Sequence, residues 1–392
     1  GFPMRTRTQR NAIRTAAAVF AICGIFGADR ASALPALPQI GGGQVSIGQS
    51  GGVMTITNSP SSIINWGGFS IAQNELVRFN QQSPLSSVLN RVTGGDPSLI
   101  HGALQSNGKV LLINQNGILI GPTARIDVNG FIASSLNISD ADYLAGRMRF
   151  VAGGTAGPVE NQGIITTPSG GQVYLIAPDV KNSGTITAPN GDILLAAGSE
   201  VLLVEGSNPE IAYAVSAPEH KAVNLGTIVA QSGRIGMYGG IVRQSGIINA
   251  DSAVRDSSGR IFLKSTKETT LDAGSRTTAN GIKGGLVNIQ STEGTTLVSG
   301  TVEARGTEGG GEARILGVNA GLMSGALVDV SSTAGGGGTV LFGGDYQGLN
   351  PDIQRAKAIY LDKDATIKAD AIDTGNGGKV ILWSDEVTKV YG

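Results

Sequence analysis

The sequence LLINQNGILIGPTARIDVNGFIASS, Leu111–Ser135, alternates short apolar and polar runs and carries the pair Asn-Gly twice. Side chains two residues apart lie on the same face of a strand, so five large apolar residues can share one face of a sheet. These residues are Leu112, Ile118, Ile120, Ile126 and Val128. The pairs Asn116-Gly117 and Asn129-Gly130 mark corners, because Asn and Gly tolerate the left-handed backbone that a tight turn needs. The stretch predicts either stacked hairpins or a chain that keeps turning in one direction.

The composition favours an all-β protein with many tight turns. Glycine accounts for 60 of the 392 residues, about twice its usual share. Charged residues account for 15%, well below the usual share of about 25%. Ile, Val and Leu are spread evenly along the chain, whereas disordered segments lack such residues because they have nothing to bury. The chain is therefore expected to fold around a large apolar core.

The segment from Gly1 to Ala33 differs from the rest and has the three parts of a secretory signal peptide. Four arginines precede an apolar run, Thr15–Ala28, and the small residues Ala31 and Ala33 follow. The run is too short to be a stable membrane anchor; an amphipathic N-terminal helix is the alternative. We expect export by the Sec machinery and cleavage after Ala33, so that the mature chain begins at Leu34. The three residues before the methionine are expected to be a leftover of translation or assembly.

The mature chain predicted in this way contains no cysteine, because Cys23 lies in the apolar run. Secreted proteins can form disulfides, so their absence suits a chain that crosses a second membrane unfolded. A large β-core that needs no disulfides is the alternative. Five of the 29 basic residues and one of the 30 acidic residues lie in the leader, which leaves 24 and 29, a net charge of −5. With no run of Lys or Arg, the mature chain is not expected to bind nucleic acid.

Beyond residue 160 the chain repeats a unit in which two short strands flank a Gly-rich corner. Two copies are NQGIITTPSGGQVYLIA, from Asn161, and NSGTITAPNGDILLAA, from Asn182. The glycine in the third position of four copies recurs at Gly163, Gly184, Gly226 and Gly246. The interval between Gly184 and Gly226 is twice the one before it, which indicates a double step. Looser copies continue to the C-terminus.

A period of roughly 20 residues, rising to about 28 residues in the looser copies, predicts a right-handed parallel β-helix when each copy holds short strands. Helical repeats would need a 3.6-residue pattern, and propeller blades need about 40 residues and four strands. At about 4.8 Å per coil, about 16 coils would form a rod of roughly 75 Å. Apolar, Asn and Gly residues are each expected to stack on the same residue type in the next coil. Leu111–Ser135 is then part of these coils and does not form hairpins.

Two long segments carry a resemblance to a known family. The runs INWGGFSIAQNELVRFNQ, Ile64–Gln81, and LNRVTGGDPSLIHGALQSNGKVLLINQNGILIGPTARIDVNGFIASSLNIS, Leu89–Ser139, resemble the N-terminal domain of filamentous haemagglutinin-type exoproteins. These are the secreted partners of two-partner secretion systems in Gram-negative bacteria, and the resemblance spans about residues 40–215. It implies a β-helix whose first coils are recognised by the periplasmic domains of a dedicated outer-membrane barrel transporter.

The resemblance also indicates where the transporter is recognised. The family reads Asn-Pro-Asn-Gly-Ile where this chain has the motif Asn114, Gln115, Asn116, Gly117 and Ile118, so Gln115 makes the corner less rigid. A clear second motif, Asn-Pro-Asn-Leu, is not seen. Asn65, Glu75 and Arg78 are further candidate transporter contacts. The asparagines are better explained as turn formers and members of an internal ladder than as direct contacts, and the charged residues can equally be ordinary surface groups.

Three domain segments follow: a signal peptide over 1–33, a capped β-helical secretion domain over 34–260, and shaft repeats over 261–392 that continue beyond the sequence. Gly41–Asn65 is predicted to cap the open end of the coils, with Trp66 and Phe69 packed in the cap. SDADYLAGRM, Ser139–Met148, predicts a short helix outside the coils with Ser139 as its N-cap.

Catalysis is not expected in this segment, and no cofactor or metal is predicted. The two histidines of the mature chain, His101 and His220, lie in turn-like and polar surroundings, and a calcium site at the aspartates of 362–373 is the weaker interpretation. A secreted β-helical carbohydrate-active enzyme, such as a polysaccharide lyase or hydrolase, is the main alternative, and an autotransporter passenger is a third. The predicted protein is secreted or held at the cell surface after passing the periplasm, and its partners include host-cell or surface ligands.

Overall fold

The computed structural model describes residues 33–205 and 208–392. The predicted signal peptide, including Ala31, lies outside these residues apart from Ala33. The described chain is built almost entirely of short strands that pair in parallel. The chain winds through three rows of strands per coil, here called rows A, B and C, and forms the predicted right-handed parallel β-helix.

Row A is a 13-stranded sheet. Its strands are Val45–Ser50, Val53–Asn58, Leu76–Asn80, Ala103–Ser106, Arg125–Asp127, Ile164–Thr166, Thr185–Thr187, Thr227–Val229, Ile247–Asn249, Arg276–Thr278, Thr301–Glu303, Leu327–Asp329 and Thr366–Lys368.

Rows B and C together form a 20-stranded sheet, because four long strands run from row B into row C. The long strands are Arg234–Gln244, Arg260–Leu271, Leu286–Val298 and Glu312–Leu322. The other row B strands are Gln39–Gly42, Ser62–Trp66, Ser87–Val92, Lys109–Asn114, Gly130–Ser134, Gln172–Ala177, Asp192–Ala197, Thr339–Phe342 and Lys379–Leu382. The other row C strands are Ser98–Ile100, Ile118–Ile120, Val159–Asn161, Asp179–Asn182, Lys221–Asn224, Ala358–Leu361 and Val387–Val390.

Smaller elements lie outside the three rows. A three-stranded sheet contains Arg149–Val151, Glu200–Leu203 and Ala212–Val215, and a four-stranded sheet contains Gly281–Lys283, Gly306–Gly309, Ser332–Ala334 and Ala371–Thr374. The helices are the α-helix Asp140–Leu144 and the 3-10 turn Tyr346–Gly348.

One apolar core runs along the inside of the coils, as the period-two pattern predicts. The five residues predicted to share a face all belong to this core, and each is at most 2% exposed. Each inward residue stacks on its counterpart in the next coil, as Phe131 does on Val173 and Val173 on Ile193. The parallel register therefore confirms coils and excludes hairpins for Leu111–Ser135.

The repeated asparagines form a ladder inside the coils. The Nδ2 of Asn161 donates to Oδ1 of Asn182, and the Nδ2 of Asn182 donates to Oδ1 of Asn224, both at 2.9 Å. Asn224 continues the ladder to Oε1 of Gln244 at 2.8 Å. All four side chains are fully buried. Each amide thus finds its partner in the next coil, which is what a buried polar group requires.

The double step assigned to the interval between Gly184 and Gly226 is wrong. Thr185–Thr187 pairs directly with Thr227–Val229, so one coil separates them. The extra residues leave the coil after Asp192–Ala197 and return at Lys221–Asn224, forming two strands of the three-stranded sheet. Because such insertions lengthen the coils, row B holds twelve parallel strands within the described residues where about 16 coils were expected. Eleven steps of about 4.8 Å give a length of about 53 Å.

The N-terminal end of the coils is closed as predicted. Gln39–Gly42 pairs antiparallel with Ser62–Trp66, and Val45–Ser50 pairs antiparallel with Val53–Asn58. These reversed strands occupy the hydrogen-bonding edge that a first coil would otherwise expose. Beneath them, the rings of Trp66 and Phe69 are buried and meet edge to face, with centroids 5.7 Å apart.

A second core, which was not predicted, lies on the outer side of row B. The outward residues Leu89, Leu111, Ile132 and Leu194 are at most 7% exposed. They are covered by the described residues of two segments that leave the coils, residues 135–158 and residues 198–205 with 208–220. The buried residues that these segments contribute are Leu136, Ile138, Tyr143, Phe150, Val201, Ile211 and Ala212. The signal was present in the runs VLLI, VYLIA and ILLAA, since a strand buried on both faces is continuously apolar.

The predicted helix is part of this cover and lies outside the coils. It spans Asp140–Leu144, which is shorter than the Ser139–Met148 expected. Ser139 is the N-cap, and its Oγ accepts from the backbone N–H of Asp142 at 3.1 Å. Gly146, with φ of 74°, ends the helix in the left-handed conformation typical of a helix C-terminus.

Replacing Gly233 tests how tightly successive coils stack. A Cβ at Gly233 would overlap the carbonyl oxygen of Gly191, the matching corner one coil earlier. We expect Gly233→Ala to lower the free energy of unfolding by about 1–3 kcal/mol, the usual cost of overpacking. Gly48→Ala is the control, because a Cβ there meets no atom within 4 Å. Denaturant unfolding that gave equal midpoints for both variants would contradict close corner stacking.

Candidate transporter-recognition site

The motif at 114–118 forms the corner between row B and row C. The backbone N–H of Gly117 donates to the carbonyl oxygen of Asn114 at 3.0 Å, which closes a β-turn with Gln115 and Asn116 at its centre. Gly117 has φ of 106°, whereas Asn116 is not among the residues with positive φ. The left-handed residue of this corner is therefore the glycine alone. Proline is favoured at the position of Gln115, which gives a physical reason for the family's Asn-Pro-Asn.

Most of the motif holds neighbouring coils together. The buried side chain of Asn114 donates to the carbonyl oxygen of Asp96 and to Oγ of Ser98, both at 3.0 Å. Asn116 Nδ2 donates to the carbonyl oxygen of Gly94 at 2.9 Å. On the other side, the N–H of Ile118 donates to the carbonyl oxygen of Pro158 at 3.0 Å.

Exposure divides the motif into two parts. Asn114 and Ile118 are buried, whereas Gln115 and Asn116 are exposed at the tip of the corner. In the folded domain, only Gln115 and Asn116 present side chains of this motif to a partner.

The second Asn-Gly pair does not form the left-handed corner that was expected. Neither Asn129 nor Gly130 has positive φ, and Gly130 is the first residue of Gly130–Ser134. An added Cβ at Gly130 would lie 3.0 Å from Cγ of Lys109 in the preceding coil, a close contact that the lysine side chain would have to move to relieve.

Arg78 lies in the row A strand Leu76–Asn80, and Glu75 directly precedes that strand, at the capped end. Glu75 accepts two backbone N–H groups, from Ala33 at 3.1 Å and from Ala72 at 2.8 Å. Leu34, the predicted first residue of the mature chain, is 8% exposed and joins the main core. Arg78 is exposed, and its Nε donates to Oε1 of Gln105 one coil away at 3.3 Å. Glu75 thus fixes the entry of the chain into the cap, whereas the Arg78 guanidinium faces solvent.

Asn65 leads to a residue that was not predicted, Arg91. The guanidinium of Arg91 donates to Oδ1 of Asn65 at 3.2 Å, to Oδ1 of Asn137 at 3.0 Å and to the carbonyl oxygen of Ile138 at 2.7 Å. It also pairs with Oδ1 of Asp140 at 2.8 Å. Arg91 therefore ties the cap, the second coil and the helix together, a role that no local pattern in the sequence reveals.

A second contact holds the helix on row B. The hydroxyl groups of Tyr143 and Ser87 lie 2.6 Å apart. Burial raises the pKa of Tyr143 to about 12, so the phenol keeps its proton at neutral pH. Tyr143 and Arg91 together anchor the helix to Ser87–Val92.

The predicted contact residues do not form one patch. Asn65 lies on the outer side of row B, Glu75 and Arg78 belong to the row A side, and the motif lies at the corner between rows B and C. They share their position along the β-helix axis, since all belong to the cap and the first coils.

Similarity to known proteins agrees with this arrangement. The family model described as the TPS secretion domain, in which TPS denotes two-partner secretion, matches residues 36–278. This range is more than half of the chain. The chain belongs to the TPS secretion domain family. The domains of this family belong to exoproteins that Gram-negative bacteria secrete across the outer membrane, and they imply interaction with an outer-membrane transporter.

Solved structures and curated relatives extend this assignment. The crystal structure of the HMW1 secretion domain from Haemophilus influenzae matches this TPS secretion domain at 31% identity with a TM-score of 0.80, covering 91% of this chain and 98% of that one. A heme/hemopexin-binding protein of the same species is 41% identical over 115 residues, which is 29% of this chain and 13% of that protein. A filamentous hemagglutinin secretion domain aligns at 15% identity and a TM-score of 0.37, too distant to carry an argument. None of these relatives supports the alternative of a β-helical carbohydrate-active enzyme.

The remaining candidate groups have structural contacts. His220 Nδ1 accepts from the backbone N–H of Ala217 at 2.9 Å, and the carbonyl oxygen of His101 accepts from the hydroxyl of Thr123 at 2.7 Å. Within residues 33–205 and 208–392, no group of three or more His, Cys, Asp or Glu side chains is placed to hold a metal ion. In the same ranges no helix has the length and apolar character needed to span a membrane.

Removing the guanidinium of Arg91 tests its anchoring role. We expect Arg91→Met to speed hydrogen exchange at the amides of Asp140–Leu144. The reason is that Asp140 loses its ion pair and the carbonyl oxygen of Ile138 loses its hydrogen-bond donor. Global stability should fall by about 1.5–3 kcal/mol, typical of hydrogen bonds to a charged group. Arg314→Met is the matched control, since Arg314 pairs with Glu312 on its own strand. Unchanged exchange in the helix of the Arg91 variant would contradict the role assigned to this residue.

Proposed function

We propose that this chain is the N-terminal part of a secreted exoprotein, and that its capped first coils direct it to a dedicated outer-membrane barrel transporter. The TPS secretion domain match over residues 36–278 carries this proposal. The proposed domain division is a signal peptide over 1–33, a secretion domain over 34–260 and shaft repeats over 261–392.

The proposed export route has two stages. The Sec machinery moves the chain into the periplasm, the leader is removed after Ala33, and the transporter then passes the chain across the outer membrane to the exterior or the cell surface. The burial of Leu34 in the main core supports a boundary here, because it makes Leu34 part of the folded domain. N-terminal sequencing of secreted protein tests the boundary, and a start well beyond Leu34 would contradict it.

Recognition is proposed to centre on Gln115 and Asn116, with Arg78, Glu75 and Asn65 as further candidates. Gln115 and Asn116 are the exposed side chains of the motif, and Arg78 presents a solvent-facing charge at the same end of the rod. Asn114, Gly117 and Ile118 contribute by shaping the corner. Ligands on host cells or other surfaces are proposed for the whole exoprotein and not for these residues.

The activity of the whole exoprotein lies beyond what this chain covers. The chain spans only 13% of the length of the heme/hemopexin-binding relative. We propose that the chain is non-catalytic and has no cofactor, because the repeats of the adhesin-like shaft continue the regular coils, and because His101 and His220 of the secretion domain occupy turns. The heme or hemopexin binding in the relative's name is a property of that protein.

Replacing Asn116 and Gly117 together by Val tests the role of the corner in export. A Val at position 117 would be strained at positive φ, and its Cβ would approach the carbonyl oxygen of Pro158 to 2.8 Å. With the transporter co-expressed in a Gram-negative host, we expect loss of secretion and a lower melting temperature of the refolded chain. Normal secretion and stability would show that this corner is not required.

A second variant separates recognition from folding. Gln115→Ala removes an exposed side chain, whose Nε2 makes an exposed hydrogen bond of 3.3 Å to the carbonyl oxygen of Thr155, but keeps Gly117, the turn and the hydrogen bond from Asn116 to Gly94. If the transporter reads the Gln115 side chain, secretion falls while the melting temperature stays close to that of the parent. Secretion equal to the parent's would contradict direct recognition of Gln115.

A further inference from the structure

A cavity of about 500 Å³ lies on the outer side of row B, beside the helix Asp140–Leu144. It is here called the row B cavity. Its floor is made by the outward residues Leu111, Ile132 and Tyr174. Its far wall comes from the covering segments and includes Leu144, Met148, Leu203 and Val204. Neither the transporter-recognition proposal nor the second core explains this opening.

The row B cavity is elongated along the coil axis. Its near side is a column of residues that begin successive row B strands: Ser87, Lys109, Gly130, Gln172, Asp192 and Arg234. Five steps of about 4.8 Å give a length of about 24 Å. Gly130 leaves a gap in the middle of this column, because it has no side chain between Lys109 and Gln172. The shape suits a short linear molecule.

Three polar side chains of the cavity make no side-chain hydrogen bond or ion pair among the described residues. Tyr174 is 5% exposed, yet its hydroxyl has no hydrogen-bond partner among the described residues. Burial raises the pKa of this phenol, so it stays protonated and can both donate and accept. The side chains of Gln172 and Lys109 also make no hydrogen bond or ion pair within the part of the chain that the structure describes. The Tyr174 hydroxyl is not one of the side-chain atoms closed off from solvent without a partner, and Gln172 and Lys109 are only partly buried. All three groups are therefore open to the cavity, where a ligand hydroxyl can bond to them in place of water.

The other charges at the cavity are accounted for. Arg234 binds both carboxylate oxygens of Asp192 at 2.8 Å and donates to the carbonyl oxygens of Asn208 and Glu210. Glu205 lies exposed at the rim. The cavity thus presents an apolar floor with a hydroxyl, an amide and an ammonium group aimed at one elongated space.

The backbone hydrogen bonds of the cavity floor favour a sugar over a peptide as the ligand. Every strand of the floor is hydrogen-bonded to a neighbour on both sides, so a peptide cannot be added as a further strand. A peptide lying across the strands would bury N–H and C=O groups with few partners, which is unfavourable. A saccharide carries hydroxyl groups for Tyr174, Gln172 and Lys109 and apolar C–H faces for the floor. We propose that the row B cavity binds a short linear oligosaccharide through these three side chains.

Binding is measured on the full secreted chain with an array of defined linear tetrasaccharides, both neutral and uronate-containing. Direct titration of the members that bind then compares variants. We expect Tyr174→Phe and Gln172→Ala each to weaken binding about tenfold, because each loses one net hydrogen bond. Gln172→Ala keeps the proposal testable if Tyr174→Phe fails to fold, since Gln172 is only partly buried.

Tyr238→Phe is the matched control. Its phenol is also on the outer side of row B, buried and without a hydrogen-bond partner in the described residues, but it lines a separate cleft of about 180 Å³. We expect this variant to bind as the parent does. The proposal is wrong if no tetrasaccharide binds, if extended peptides bind and saccharides do not, or if the Tyr174 and Gln172 variants bind as tightly as the parent. The transporter is not needed for this measurement, so its outcome is independent of the export proposal.

Discussion

Parallel pairing between successive coils is the interaction on which the rest of the structure depends. Each strand finds its hydrogen-bond partners in the coil before it and the coil after it, so no coil is complete by itself. The asparagine ladder and the corner glycines follow the same rule, because each residue is placed against its counterpart one coil away. Stability in such a fold passes from neighbour to neighbour, and an end that is left open exposes an unpaired strand edge.

The cap supplies that closed end. Two antiparallel pairings and the buried Trp66–Phe69 contact terminate the sheet edge, and Glu75 fixes the entering chain. The covering segments then tie the early coils together from outside, through Arg91 and the second core on row B. Because these features all lie at one end of the described chain, they favour folding that starts there and spreads toward the C-terminus.

The sequence was sufficient to predict what repeats and insufficient to predict what interrupts the repeats. Period-two apolar residues and recurrent Asn and Gly predicted the coils, the ladder and the cap, because these depend on local patterns. The long interval between Gly184 and Gly226 was misread, since an insertion and a second coil have the same length in sequence. The outer core was missed although VLLI and ILLAA indicated strands buried on both faces.

The candidate site was predicted only in part. The motif at 114–118 was found through its resemblance to the family, but its division into buried Asn114 and Ile118 and exposed Gln115 and Asn116 needed the turn geometry. Arg91 was missed because its partners, Asn65, Asn137 and Asp140, meet only after the chain has passed through two further coils.

The claim that folding begins at the capped end is tested most directly by denaturant unfolding of two separate fragments, residues 34–260 and 261–392, followed by far-UV circular dichroism. The cut falls after Arg260, the first residue of the long strand Arg260–Leu271, so it removes no part of the cap or the covering segments. The account predicts a cooperative β transition for 34–260 and little or none for 261–392, which has coils but no closed end. An independently folded 261–392 beside an unfolded 34–260 would contradict it.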